Sequence, residues 1–499
     1  MALWQNIPFF CILLPLGSAA MTSVLKPKLA RRWTLMVLCL LVALSAVLTG
    51  IMYRYGQSYT FMMGHFPAPW GNEIRAGLLE ALTALMFNII MILSLMGGLK
   101  KVDDHIAHDK QSLYYVMLLL LTAALMAQVY TNDIFTAYVF LEIMTISACA
   151  LIAARTKGRT LVAATRYMIM NLLGSGLFLL GIILLYDLTG HLLMSNIKEA
   201  VAQLHASGEY QMPLTVVVAL ISIGLSIKSA LFPFHTWVPD AYGYTTPTSS
   251  AVLSSLVSKG YIFLLIKIMY RVIGLDVIAS TRLPNVLFVF ALLGMIMGSL
   301  SAIRQTDIRR MIAYSSVAQI GYVYMGIGLG TEAGMIAAVF HIFSHAMCKS
   351  MLFLAAGGLA DASGNSKKFH DLWGSAYRSP IAGVAFTVGA LSMIGFPFIG
   401  GFNSKLYFAM AAVQAGGTRM LLVLAALVIS TWLNTLYFMK TVITIYRQPR
   451  PDVSYSVEKG QRGFCFNASL LCFTAANICL GLFAHVITDA ITRGLAIFG

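Results

Sequence analysis

One feature constrains this chain above all others. About fourteen times along its length an apolar run of roughly 20 residues passes before charged, proline-rich or glycine-rich sequence interrupts it, and a run of that length crosses the hydrocarbon of a bilayer as one helix. The runs fall at 5–24, 33–53, 78–99, 112–131, 134–154, 161–186, 213–235, 248–272, 284–303, 308–330, 332–359, 380–415, 420–446 and 466–496. Only helices and closed barrels satisfy every backbone polar group in lipid, and runs this long are helical in period. The expectation is therefore an all-α polytopic membrane protein of about 14 transmembrane helices. Composition agrees: 59% of the 499 residues are hydrophobic and 11% are charged, against about 25% charged in a soluble globular chain.

The net charge of +15 does not imply nucleic-acid binding. The basic residues lie in short loops: Lys26, Lys28, Arg31 and Arg32 after the first span; Arg155, Lys157 and Arg159 after the fifth; Arg304, Arg309 and Arg310 after the ninth; Arg447, Arg450, Lys459 and Arg462 after the thirteenth. Loops after odd-numbered spans are the basic ones, which predicts that they face the cytoplasm and that both termini face outward from a cytoplasmic (inner) membrane. Residues 1–25 lack the basic start of a cleaved signal and read as a first permanent span. Residues 54–77 and 187–210 are polar enough for outer loops, the second with a short interfacial helix. The seven cysteines are scattered with no C-x-x-C pair, which argues against a disulfide framework, a zinc site or an iron–sulfur cluster.

Two spans are interrupted. The seventh ends at Pro233, with Pro239 and Pro247 beyond it; the twelfth is broken by Phe396-Pro397-Phe398 and Gly400-Gly401. Unwound backbone is tolerated in a membrane where protein or a wet cavity satisfies it, and transporters place ion sites at such breaks. Each break has a lysine beside it, Lys228 or Lys405, and the breaks are five spans apart. An odd spacing predicts two inverted five-helix repeats, although residue-level identity between them is weak. The organisation is then a three-helix region at 1–111, a first repeat at 112–272, a second at 273–447 and a C-terminal helix at 448–499.

Charged residues at mid-membrane cost roughly 2.5–3.5 kcal/mol each on insertion scales and are functional candidates by default. Glu142, Lys228, Lys259, His341, His345, Lys349 and Lys405 all lie inside spans. Any one of them alone reads equally well as half of a structural ion pair, and a lone histidine as a packing residue. The set reads otherwise. His341, His345 and Lys349 recur every fourth residue, so they share one helix face over roughly 12 Å and form a ladder of titratable groups. Burial penalises a charged lysine and a nearby carboxylate restores it, so a Glu142–Lys228 pair would couple geometry to protonation. Metal binding by the two histidines lacks an acidic third ligand in that span.

These residues carry a resemblance. KSALFPFHTWVPDAYGYTTPTSSAVLSSLVSKGYIFLL (228–265), AIRQTDIRRMIAYSSVAQIGY (302–322), FHIFSHAMCKSMLFLAAG (340–357) and GALSMIGFPFIGGFNSKLYF (389–408) are similar, in order, to segments of the antiporter-like subunits of respiratory complex I and Mrp-type cation/proton antiporters. The likeness covers roughly residues 80–446. It implies fourteen helices with inverted repeats, and it implies roles: Glu142 and Lys228 as the pairing residues, Lys259 as the central lysine, His341, His345 and Lys349 as the link between halves, Lys405 as the terminal residue, and His235 and Glu80 in support. Glu80 stands where an aspartate is expected, and Cys348 where a larger apolar residue is common. MGHFPAPWGN (63–72) and LNTLYFMKTVITIYR (433–447) lean toward Mrp D-type and membrane-bound hydrogenase subunits. The chain ends soon after its last span, which disfavours the distal complex I subunit with its lateral helix.

No redox-cofactor motif is present, so the expected chain holds no cofactor. Its partners would be other membrane subunits, lipid, and protons with Na⁺ as the alternative ion, with iron–sulfur subunits if redox chemistry drives it. Three functions stay open: a pumping module of a redox complex, a Na⁺/H⁺ antiporter subunit without redox chemistry, and a non-conducting scaffold.

Overall fold

The structure, a computed structural model, describes residues 3–63, 66, 71–156, 158–448 and 463–499. Helices dominate it. The first six are α1 (Ile7–Thr22), α2 (Pro27–Tyr55), α3 (Leu78–His105), α4 (His108–Tyr130), α5 (Ile134–Ala153) and α6 (Gly158–Thr189). A short α7 (Met194–Ser207) occupies the loop in which an interfacial helix is expected. Next come α8 (Gln211–Ser229), α9 (Val238–Tyr244), α10 (Pro247–Val252), α11 (Ser258–Ile268), α12 (Leu275–Ser280), α13 (Leu283–Ile303), α14 (Ile308–Gly328) and α15 (Glu332–Asp361). The chain closes with α16 (Ser375–Arg378), α17 (Pro380–Ile394), α18 (Gly400–Ala415), α19 (Gly417–Tyr446), α20 (Phe464–Leu482) and α21 (Ala484–Ala496).

Twelve helical segments among the described residues are long and apolar enough to cross a membrane. Two more segments lie at the remaining expected positions: α14, with 21 residues, and the broken pair α17–α18. Local chemistry sets the helix starts. Proline occupies the first turn of α2, α10, α13 and α17, where a missing N–H costs nothing. Asp133, Thr246, Asp307 and Thr331 accept backbone N–H groups at the starts of α5, α10, α14 and α15.

Three expectations need correction. The loop at 54–77 carries a two-stranded antiparallel hairpin, β1 (Tyr59–Met62) with β2 (Glu73–Ala76), in register Tyr59↔Ala76. Four-residue strands leave no long apolar signal to read. The last span is not one helix: it divides at Phe483, where α20 ends and α21 begins. The eighth span is continuous but irregular, with π-helical turns at Leu253–Val257 and Met269–Ile273 flanking α11. Most of the MGHFPAPWGN segment, together with Lys157, Arg450, Lys459 and Arg462, lies outside the described residues.

Burial orders the bundle. The apolar window of Pro247–Ile273 is 100% buried and that of Glu332–Asp361 is 94% buried, whereas Phe464–Leu482 is 28% buried and faces outward. The two central spans are the ones that carry Lys259, His341, His345 and Lys349.

Candidate ion-translocation site

The first broken helix ends where its sequence runs out of helical options. α8 stops at Ser229 and Ala230 takes a left-handed φ of 68°, so that Ala230 N–H and Leu231 N–H return to the carbonyls of Ile227 and Ser226. A cis Phe232–Pro233 bond follows, then a 3₁₀ turn over Phe234–Trp237, then α9. Lys228 is in the last turn of α8, where the helix dipole favours a cation. It is held there by close packing on α6: a Cβ on Gly174 would meet Gly224 O at 2.8 Å and Lys228 Cγ at 3.0 Å.

Lys228 is fully buried and its Nζ lies 3.6 Å from Glu142 Oε1. It donates to Thr145 Oγ1 at 2.8 Å, one turn along α5 from Glu142. Glu142 also accepts from Ser175 Oγ. Thr145 Oγ1 is 3.0 Å from Tyr261 Oη, and the Lys228 ammonium sits 5.2 Å from the Tyr261 ring centre. Tyr261 is two residues from Lys259, so these contacts join the pair to the eighth span.

Lys259 is fully buried beside the first π-helical turn. A π turn widens the backbone and often marks a functional site. Here it leaves Ser254 O free to accept from Lys259 Nζ at 2.5 Å, with Ser258 Oγ at 3.1 Å. Lys349 donates to Ile312 O at 3.0 Å and to Ser315 Oγ, both on α14. His345 and His341 stack with ring centres 5.6 Å apart, which places the ladder on one face as the four-residue spacing predicts. Lys259 and Lys349 are both within electrostatic reach of His345. Neither ring nitrogen of His345 has a protein hydrogen-bond partner among the described residues, and His341 Nε2 has none either. His341 Nδ1 is 2.6 Å from Ser404 Oγ, on the second half of the broken twelfth span.

That break repeats the logic of the first. Gly395, at φ 94°, ends α17, and α18 restarts at Gly400. Lys405 reaches back to donate to Ile394 O at 2.6 Å and to Thr431 Oγ1 at 2.9 Å. The ring of Tyr322 stacks on His341 at 5.5 Å and lies 5.8 Å from Lys405 Nζ. The expected residues thus fall on neighbouring spans in the order Glu142 and Lys228, Lys259, Lys349 with the two histidines, and Lys405. Thr145, Tyr261 and Tyr322 join them and escape a search confined to charges. Among the described residues a carboxylate faces only Lys228 of these lysines; Lys259, Lys349 and Lys405 rest on backbone carbonyls and hydroxyls. Dipoles can hold an ammonium without leaving an ionised partner behind when the proton departs.

The two supporting residues lie apart from these. His235 stacks on Phe232 at 5.3 Å beside the first break and meets the Tyr314 ring edge at 6.4 Å. Glu80 is buried and paired with Arg271, which also donates to Phe498 O at 2.6 Å. Lys267 is a further buried cation, inside the eighth span and not among the residues expected from the sequence. Its Nζ donates to Gln128 O, Val129 O and Thr131 O at 2.6, 2.6 and 3.0 Å. It lies eight residues after Lys259, the same step that separates His341 from Lys349, so the signal was available in the spacing. Arg309 is likewise buried and donates to the carbonyls of Tyr242 and Thr245.

Residues 131–432 match the family model described as NADH:quinone oxidoreductase/Mrp antiporter, TM. The chain belongs to that family. It is 33% identical over 458 residues to NADH-quinone oxidoreductase subunit N of Desulforudis audaxviator, covering 91% of this chain and 89% of the relative. Among solved structures it resembles a chain of the membrane-bound sulfane sulfur reductase, an archaeal respiratory membrane complex, with a TM-score of 0.86 and 27% identity over 99% of this chain and 98% of that one. A chain of the Mrp complex from Dietzia shares the fold at a TM-score of 0.86 and 23% identity, covering 99% and 97% of the two chains. The family's members are membrane subunits, and this chain is a multi-pass membrane protein.

Proposed function

We propose that this chain is the ion-translocating, antiporter-like subunit of a multisubunit respiratory membrane complex, and that protons are the ion it moves. The observations that carry the proposal are the Glu142–Lys228 pair with its contact to Tyr261 of the eighth span, the buried Lys259 of that same span, and the His345–His341 stack that reaches Ser404, next to Lys405. A scaffold would need none of these groups in its interior. Burying Lys228, Lys259 and Lys349 in one bundle costs several kcal/mol, and such a cost persists where function requires it.

Protons would hop from span to span by way of lysine, histidine and hydroxyl groups, with bound water bridging the histidines. Opening the Glu142–Lys228 pair would release the first proton and its closing would draw in the next. The two halves, 112–272 and 273–447, would act as inverted repeats, each contributing one broken helix. The basic loops after the odd-numbered spans would face the cytoplasm and both termini the outside. Similarity to subunit N and to the sulfane sulfur reductase chain favours a redox-driven complex, in which neighbouring subunits carry the electron-transfer centres and this chain none.

The test is ion flux in vesicles carrying the whole native complex, with wild type, Lys228→Ala and Glu142→Ala compared at equal assembly. Either substitution should reduce proton movement at least tenfold, and movement should depend on an electron donor. Normal pumping by both assembled variants would overturn the pair mechanism. Flux driven by a sodium gradient, with no donor required, would replace the redox reading with that of a secondary antiporter.

A further inference from the structure

The end of the bundle that carries the basic loops has a groove whose lining no step of the ion pathway uses. It is about 410 Å³ and is formed where the start of α6, the end of α9 and the start of α14 meet. Arg159, Arg166 and Arg310 line it with Tyr244, Val162 and a single lining carboxylate, Asp240. Asp240 is shared: it accepts from Arg166 and, at 2.6 Å, from Arg310. Arg310 and Arg159 both lie over the Tyr244 ring, at 5.6 and 5.7 Å from its centre. Three guanidinium groups against one carboxylate leave the groove with a formal charge of +2, counted from its lining residues.

The groove does not end in solvent on all sides. Val162, Arg166, Ile169 and Leu173 are spaced four, three and four residues apart on α6, so they form one face of that helix. Val162, Ile169 and Leu173 are 53%, 61% and 54% exposed, and Arg166 is exposed among them. The same face therefore changes from basic to apolar within about 10 Å of helix. A cationic recess that continues into an apolar strip running down the membrane fits an amphiphile with an anionic head. A free inorganic anion would be served by the recess alone.

We propose that this groove binds the phosphate headgroup of an anionic phospholipid, with an acyl chain along Ile169 and Leu173. Arg159 and Arg166 hold the phosphate from α6. Arg310, kept in place by Asp240 and Tyr244, holds it from α14. The lipid then bridges the two proposed halves of the chain at the surface, away from the translocating residues.

The test uses the purified native complex, stripped of lipid in detergent. Long-chain phosphatidylglycerol, long-chain phosphatidylcholine, a short-chain phosphatidylglycerol and inorganic phosphate are titrated in turn, and discrete adducts on this subunit are counted by native mass spectrometry. Long-chain phosphatidylglycerol should bind as one discrete adduct and phosphatidylcholine should not. Each basic contact near a membrane surface is worth about a fivefold change, so R159A/R166A should weaken binding roughly thirtyfold and R159A alone about fivefold. The control K28A/R32A removes two charges from the start of α2 at the same end and should leave binding unchanged. Equal binding of the two long-chain lipids, retention of the adduct by an assembled R159A/R166A complex, or full displacement by inorganic phosphate would each overturn the proposal. Short-chain lipid binding as well as long-chain lipid would overturn the acyl-chain contact specifically.

Discussion

The Glu80–Arg271 pair allows a structural role to be separated from a place in the ion path. Both side chains are almost wholly buried, at 1% and 2% exposure, and the pair ties the first turn of α3 to the second π-helical turn of the eighth span. Arg271 also donates to Phe498 O at 2.6 Å and lies 4.2 Å from the centre of that ring. Glu80→Gln keeps the shape but leaves a buried guanidinium without its counter-charge; Arg271→Met leaves a buried carboxylate. Breaking one side of a buried pair costs about 3–5 kcal/mol. Removing both charges leaves no unpaired charge; the remaining loss is the donor to Phe498 O, the cation–π contact and a partner for the amide that replaces the Glu80 carboxylate, about 2–3 kcal/mol together. The two single variants should thus lower the thermal midpoint of the assembled complex by several degrees each, and the double variant Glu80→Gln/Arg271→Met should recover more than half of the loss. Two single costs of about 4 kcal/mol each, less the double cost, give a double-mutant coupling of about 5 kcal/mol. Measured flux decides the rest. If the pair is structural, the double variant pumps as wild type does. A double variant no more stable than the worse single one would refute the pairing argument, and a stable double variant without flux would place Glu80 in the path.

Three further outcomes follow from the geometry. His345→Phe keeps the stack on His341, now at 5.6 Å, but removes both ring nitrogens, so flux should fall at least tenfold while assembly and thermal midpoint hold. Lys267→Met strips the donor from three buried carbonyls at the end of α4, each worth roughly 1 kcal/mol or more when left unpaired, so the yield of assembled complex should drop; unchanged yield would show that these carbonyls find other donors. Gly98→Ala places a Cβ 1.7 Å from Thr248 Oγ1 and should cost about 1–3 kcal/mol through separation of α3 and α10. Shortening the partner with Thr248→Ala should restore part of that stability, read as recovery of the thermal midpoint.

The apolar runs and the basic loops between them were enough to specify a helical membrane bundle, because lipid admits few other ways of satisfying a backbone. Periodicity alone placed His341, His345 and Lys349 on one face, and the stacked histidines bear that out. Prolines and glycines located both breaks, since neither Pro233 nor the Gly395–Gly401 stretch can continue a straight helix. Other features depend on atoms distant in sequence. The β1–β2 hairpin is too short for a pattern. The π turn beside Lys259 comes from packing around a wholly buried span, and no local propensity encodes it.

What the sequence determined by itself was which residues are too polar for lipid and at what depth they lie, because helix rise and apolar length are local quantities. Only the tertiary structure decided what each of them faces. It brought Glu142 within 3.6 Å of Lys228 across 86 residues of chain. It gave Lys405 the carbonyl that a broken helix had freed and took Glu80 aside to Arg271. The physical reason is that a charge in a bilayer must find its partner through space, and close approach of helices at small residues such as Gly174 and Gly224 sets which partners are within reach.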